Sequence, residues 1–262
     1  MRTEPRRGTA RSRVERGRRH GQRSAPAPGA RGRMKVLVID VGGSHVKCLV
    51  TGRARPRAFV SGPTLTAAGM VEGVRAITGD WRFDAVSIGF PGPVMHGSPL
   101  REPHNLGGGW VGFDFACAFA RPVRIVNDAA MQALGSYQGG RMLFLGLGTG
   151  LGSALIVEGE IEAMELAHLP YRKGHTYEDY VGERGLERLG RKKWRKAVLD
   201  VVESLNAALR PDYVVLGGGN VRKLDGLPGY VRRGDNANAF LGGFRLWEEP
   251  GARMASRPAR RR

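Results

Sequence analysis

The sequence predicts an α/β protein made of two related halves, and three observations predict it. From Met34 onward, apolar runs of strand length alternate with amphipathic stretches of helix length, the pattern of sheets covered by helices. The strand, glycine-rich reversal and strand of "VLVIDVGGSHVKCLV" (Val36–Val50) return in "MLFLGLGTGLGSALIV" from Met142, with Asp40 aligned to Gly146 and Gly42 to Gly148. A third glycine turn, in "DYVVLGGGN", also follows a buried strand. Two similar hairpins 106 residues apart imply two half-domains facing each other.

The elements follow in order. Val36–Ile39 and Val46–Val50 form the first hairpin. In "TAAGMVEGVRAIT", Met70, Val71, Val74 and Ile77 recur at helical spacing behind a Thr66 cap. "DAVSIGF" reads as a buried strand that ends where Pro91-Gly92 forces a turn. "VRIV" from Val123 is a strand, and "NDAAMQALGSY" starts a helix with Asn127 or Asp128 in the capping region. After Arg191 the helix "KKWRKAVLDVVESLNAAL" leads through Pro211 into the strand of the third glycine turn. "NANAFLGGFRLWEE" closes the fold as a helix over 237–249 that crosses back onto the first half. The halves are expected at 34–125, completed by 237–249, and at 126–236.

Charge is concentrated at the ends. Of the formal net charge of +18, residues 1–33 carry +9, from eleven Arg against two Glu. Residues 251–262 carry +5, leaving +4 for Met34–Pro250, so nucleic-acid binding is not expected of the core. The leader 1–33 has almost no apolar residues and is expected to be disordered. It reads as a basic arm for a polyanion, a targeting peptide or, the favoured reading, an artefact of a mis-called start, with Met34 the initiator. Residues 250–262 form a basic tail. No apolar run approaches the ~18 residues of a membrane span, and no secretory h-region is present, so a cytoplasmic protein is expected. Cys48 and Cys117 lie 69 residues apart in apolar surroundings without CxxC spacing. Both read as small core residues rather than a disulfide or a zinc site.

Glycine turns after strands let backbone N–H groups approach an anion closely. Singly, "DVGGS", "LGTGLGS" and "LGGGN" are each more often plain hairpins; together, with the internal repeat, they favour phosphate. GxxxxGK[ST] is absent, and neither of the first two turns fits GxGxxG followed by a helix, which removes Walker-type and Rossmann sites. Asp40 ends a buried strand beside such a turn, where a carboxylate is costly to desolvate without a cation or hydrogen bonds. Mg²⁺ held largely through water suits it, and a turn-capping aspartate is the plainer alternative. Lys47 points toward a phosphate or to solvent. Asn127 and Asp128 sit at a strand-to-helix junction, where an ordinary cap is the plainer role. Glu165 and His168 in "MELAHL", and Glu178 in "HTYEDY", suit either a polyol site or surface charge.

The motifs "DVGGSHVK", "GFPGPV", "NLGGGW", "VNDAAMQA", "GTGLGSALIVEG", "ELAHL" and "VVLGGG" resemble, in order, the ROK family of sugar kinases within the actin-like ATPase superfamily. Around "GTGLGSAL" and "ELAHL" they are similar to the polyphosphate glucokinase branch. The resemblance implies two actin-like, ribonuclease H-like half-domains with sugar and phosphoryl donor meeting in the cleft between them. It implies Asp128 as general base and Asn127, Glu165, His168 and Glu178 as sugar ligands. Gly42, Gly43 and Ser44 match the first phosphate loop, Gly148, Thr149 and Gly150 the second, and Gly217, Gly218 and Gly219 the segment near the nucleotide. The expected reaction is phosphoryl transfer from polyphosphate, ATP or both to a hexose, at the 6-hydroxyl of glucose, with Mg²⁺ and in a homodimer. Carboxylates suit paired hydroxyls, and phosphoryl transfer needs positioning and charge neutralisation above all. No cysteine follows Cys117, so the structural zinc of many relatives is not expected, leaving His168 as a sugar ligand or a packed histidine. Ala167 stands where the family has glycine, and Ser44 where it commonly has threonine. The alternative is a non-catalytic sugar-responsive regulator or sensor. A repressor of that kind needs an N-terminal helix-turn-helix, for which the leader has no apolar periodicity.

Overall fold

The computed structural model describes residues 34–251 of the chain. The leader 1–33 and residues 252–262 of the basic tail, with the expectations made for them, lie outside the described residues. Two five-stranded sheets carry the fold. The first contains β1 (Val36–Val41), β2 (His45–Val50), β3 (Arg57–Val60), β4 (Ala85–Phe90) and β7 (Val123–Asn127), in the order β3-β2-β1-β4-β7. The second contains β8 (Arg141–Leu147), β9 (Leu151–Val157), β10 (Glu160–Met164), β11 (Tyr213–Gly217) and β12 (Val231–Arg233), in the order β10-β9-β8-β11-β12. A two-residue hairpin, β5 (Val94–Met95) with β6 (Ser98–Pro99), stands apart.

The internal repeat of the sequence is a repeat of topology. In each sheet the first three strands in sequence form an antiparallel meander, the fourth pairs in parallel with the first, and the fifth pairs in parallel with the fourth. Asp40 pairs with Gly89 in the first sheet as Gly146 pairs with Gly217 in the second. The entry to each central pair is locked the same way. The Lys35 N–H donates to Asp84 Oδ2 at 2.9 Å, and the Arg141 N–H donates to Asp212 Oδ2 at 2.7 Å.

The central strands are buried on both faces, which is why they read as continuous apolar runs. Leu37, Ile39 and Val41 of β1 face a core shared with α1 (Ala67–Thr78) and α2 (Phe115–Phe119), while Val36 and Val38 face the opposite way. Leu143, Leu145 and Leu147 of β8 likewise face a core built with α4 (Tyr177–Val181) and α5 (Glu183–Leu209). Between the sheets lie α3 (Asp128–Ser136) and α6 (Asn238–Arg245). They meet backbone to backbone: a Cβ on Gly135 would run into the Asn238 carbonyl, and one on Gly242 into the Met131 carbonyl. Gly243 of α6 lies on Val38, and its carbonyl accepts from Ser87 Oγ at 2.6 Å. Arg245 is buried and donates to the carbonyls of Leu134, Gly135 and Tyr137, closing the C-terminal end of α3.

Three local expectations need correction. Cys48 is buried, but Cys117 is exposed, because Phe115 and Phe119 take the inward face of α2 and leave Cys117 off it. The closing helix stops at Arg245 rather than 249, where the chain turns so that Trp247 Nε1 donates to Ser87 Oγ at 2.9 Å. The helix expected after Arg191 is the second part of α5, which starts at Glu183 and kinks at Gly190 (φ 71°, ψ 160°). Positive φ is easily reached only by glycine, so this residue bends the helix without ending it.

Candidate active site

The chemistry-bearing residues gather where parallel strands end. Asp40 is the penultimate residue of β1, Asn127 the last of β7, and the glycine turns Gly148–Gly150 and Gly218–Gly219 follow β8 and β11. Carboxyl ends of parallel strands are the usual place for ligands in α/β folds.

Asn127 caps α3: its Oδ1 accepts from the Ala129 N–H at 2.9 Å and the Ala130 N–H at 3.3 Å, and its Nδ2 donates to the Gly92 carbonyl at 3.0 Å. That cap fixes Asp128 on the first turn of the helix, with Oδ1 accepting from the Ala129 N–H at 2.7 Å. The approach of the helix depends on Gly89, which pairs with Asp40 on one side and Val126 on the other. A side chain there would run into Met131 Cε, and its Cβ would stand 3.6 Å from Asp128 Cα. On the other side, Gly152 of β9 packs on Ala129, where a Cβ would lie 2.6 Å from the alanine methyl. Asp128 therefore sits at the seam between the two sheets.

Burial there raises the Asp128 carboxyl from 3.8 to about 7, with Asp40 and then Glu165 adding negative potential. Burial also pushes Asp40 up, against the opposing charge of Lys47, its cross-strand partner on β2. No hydrogen bond holds the Asp40 carboxylate among the described residues. Lys47 and Ser44 are exposed.

The first turn is drawn tight by the Gly42 N–H donating to the His45 carbonyl at 3.0 Å and by Ser61 Oγ donating to the Gly42 carbonyl at 2.6 Å. Gly43 lies beside Asn105 of the "NLGGGW" loop, whose far end is tied by Glu102 accepting from the N–H groups of Trp110 and Val111. The second turn is held from several directions. The Gly148 N–H donates to the Gly150 carbonyl at 3.2 Å, and the Gly148 carbonyl accepts from Asn220 Nδ2 at 3.2 Å. The Thr149 carbonyl accepts from the Glu183 N–H at 3.2 Å, which sets the start of α5 against the turn. Gly218 has φ 83° and packs on Leu147, joining the third glycine turn to the second.

Glu165 and His168 flank a single 3-10 turn, Leu166–His168, with His168 Nε2 3.9 Å from Glu165 Oε2. Both are open to solvent, their side chains 58% and 75% exposed, so His168 is not a packed histidine. Ala167 is buried beneath them. Glu178 stands on the other side of the second turn, where Oε2 accepts from the Leu151 N–H at 3.1 Å and fills the space beside Gly150. Its Oε1 lies 3.9 Å from Arg184 Nη2. Thus Asp40 and Glu165 each act electrostatically on Asp128, whereas Glu178 braces the second turn.

Three supporting residues escaped the sequence reading. Buried Ser153 donates to the Met164 carbonyl at 2.6 Å and accepts from the Leu166 N–H at 3.2 Å, which holds the Glu165–His168 turn. Gly89 and Asn220 are the others. Each acts across a long sequence separation; the one visible signal was Gly89, a glycine inside a largely apolar strand.

An Mg²⁺ ion fits the Asp40 region on its donor chemistry. Two carboxylates crowd a partly buried place with a single exposed lysine to oppose them. Among the described residues no three or more His, Cys, Asp or Glu gather to hold a metal.

The sequence profile described as "ROK family" matches residues 36–197. A polyphosphate glucokinase of Mycobacterium tuberculosis is 29% identical over 228 residues, covering 78% of this chain and 85% of that protein. An inorganic polyphosphate/ATP-glucomannokinase from Arthrobacter sp. strain KM has the same fold, with a TM-score of 0.68 at 22% identity, covering 80% of this chain and 97% of that one. A ROK family glucokinase from Streptomyces griseus, solved with glucose and AMPPNP, superposes with a TM-score of 0.63 at 17% identity, covering 81% and 98%.

Proposed function

The chain belongs to the ROK family, and from that premise we propose that it is a hexose kinase that transfers a phosphoryl group to the 6-hydroxyl of glucose from polyphosphate, ATP or both. The observation that carries this is Asp128: one carboxylate fixed at a helix start on the seam between two topologically matched sheets, and held near neutrality by burial and by Asp40.

Ionised Asp128 takes the proton from the sugar hydroxyl as its oxygen forms the new bond to phosphorus and the donor's bridging oxygen leaves with the remaining phosphates. A base whose carboxyl titrates near pH 7 suits that transfer, a contribution of about 10² to 10⁴ in rate. Asn127, Glu165 and His168 hold the sugar hydroxyls, and Glu178 takes a further one while its Oε2 keeps the second turn in place. A wrong sugar would leave such acceptors unpaired, which is how they select. The backbone of Gly42–Ser44 and Gly148–Gly150 receives the transferring and leaving phosphates, with Lys47 adding positive charge and Gly217–Gly219 lying toward the donor's far end. Mg²⁺ near Asp40 would neutralise charge on the phosphate oxygens.

The half-domains of this enzyme are 34–125 with 237–249, and 126–236, and it works in the cytoplasm as a homodimer. Among the described residues no helix is long and apolar enough to cross a membrane. The test is purified protein with Mg²⁺ on a panel of hexoses, with ATP and with polyphosphate, beside Asp128→Asn. Transfer to no sugar, or full activity of the variant, overturns the proposal.

A further inference from the structure

A basic groove lies on α5, the helix whose start is set against the second glycine turn. Beyond the Gly190 kink, α5 presents Arg191, Lys192, Arg195 and Lys196, which with Leu199 and Asp225 line a cavity of about 570 Å³. A continuous line of contacts joins it to the turn. Asn220, whose Nδ2 reaches the Gly148 carbonyl, accepts from Lys223 Nζ at 2.8 Å, and the Lys223 carbonyl accepts from Arg191 Nε at 2.9 Å. Arg191 Nη2 then donates to Asp225 Oδ2 at 2.9 Å, and Arg195 Nη1 stands 3.9 Å from the same oxygen. Asp225 is the single carboxylate among four cations, and neither Lys192 nor Lys196 has a carboxylate partner among the described residues.

Resting on the kinase reading above, we propose that this groove binds the distal phosphates of a linear polyphosphate donor whose terminal phosphoryl lies at the Gly148–Gly150 turn. The lining holds four cationic heads and one carboxylate and has no aromatic ring on which a purine base could stack. Successive cations along one helix suit a flexible chain of phosphates, each contact releasing condensed counterions. Lysines that keep no internal partner remain available as point charges. The groove therefore gives preference for chain length: a donor too short to leave the glycine turns gains nothing from it.

The test is Lys192→Gln/Lys196→Gln in the full chain, beside Arg6→Gln/Arg7→Gln, which removes equal charge from the leader. Affinity for long-chain polyphosphate, tripolyphosphate and single-stranded DNA of matched charge is measured across a salt series without requiring turnover. The groove variant should bind long-chain polyphosphate about tenfold more weakly, with the salt slope shallower by about two, and should bind tripolyphosphate as the wild type does. The leader variant should keep the difference in affinity between long and short chains. Equal weakening by both variants, unchanged long-chain affinity in the groove variant, or DNA affinity equally lowered by Lys192→Gln/Lys196→Gln would overturn the proposal. A wild type that binds long polyphosphate through the groove but phosphorylates no hexose would sink the kinase reading and leave the groove standing.

Discussion

Replacing Asp128 with asparagine should stabilise this protein while disabling it. The carboxyl titrates at about 7 in the folded chain, against an ordinary value of 3.8. The folded state thus holds this proton more tightly than the unfolded state. Between those two values, rising pH ionises the group in the unfolded chain first, and stability is progressively lost. The rise from 3.8 to about 7 is worth at most roughly 4 kcal/mol above pH 7. Asp128 keeps partial solvent access, so the expected gain is about 1–3 kcal/mol, less the roughly 0.3–1 kcal/mol that a carboxylate contributes at a helix start. Asparagine retains an oxygen for the Ala129 N–H, so the first turn of α3 should persist. For a chain of this size, 2 kcal/mol is about 4–8 °C in Tm. Thermal melts of both proteins at pH 8, 6 and 4.5 should show the variant more stable at pH 8 and the difference shrinking toward pH 4. Its kcat should fall about 10² to 10⁴-fold. A variant less stable at pH 8 than at pH 4.5 relative to wild type, or one that keeps its turnover, would refute the electrostatic account of Asp128.

The remaining predictions test the parts around it. The wild-type rate should rise with pH through about 7 and then level, and Asp40→Asn should move that midpoint down, because the Asp40 charge is the second-largest cause of the shift; an unmoved midpoint in titrated kcat/KM contradicts this. Gly242→Ala drives a methyl into the Met131 carbonyl and should destabilise by about 3 kcal/mol or more, read as a fall in Tm on the order of 10 °C. Asn220→Ala removes the donor to the Gly148 carbonyl, a loss of about 1 kcal/mol, and should raise the donor's KM about fivefold with the glucose KM unchanged.

Much of the fold was legible because its central strands carry their own signal. Strands β1 and β8 are buried on both faces, so most of each is an apolar run, residues 36–39 and 142–145, and the repeat of their turns reported the matched topology. The edge strands β3 and β10 gave no such signal: "RAFV" and "EIEAM" are half-exposed and are recruited by neighbours rather than by local preference. The first part of α5 was hidden by its charge and by Gly190, which reads as an end but acts as a bend. In the site, Asp40 stood out because a carboxylate at the end of an apolar strand needs a reason, whereas Asp128 reads as an ordinary helix cap apart from the family motif that contains it. Glu178, Ser153 and Asn220 take their roles from partners 27, 13 and 72 residues away, which spacing alone does not encode. The paired locks at Asp84 and Asp212 were visible in principle, since each aspartate stands immediately before a strand of the repeat.

The most direct measurement is phosphorus NMR of the product formed from glucose, Mg²⁺ and either long-chain polyphosphate or ATP. The account predicts a phosphomonoester on the 6-hydroxyl of glucose, formed with wild-type protein and nearly abolished by Asp128→Asn. A phosphorylated product from neither donor, or one formed at the same rate by the variant, would contradict it.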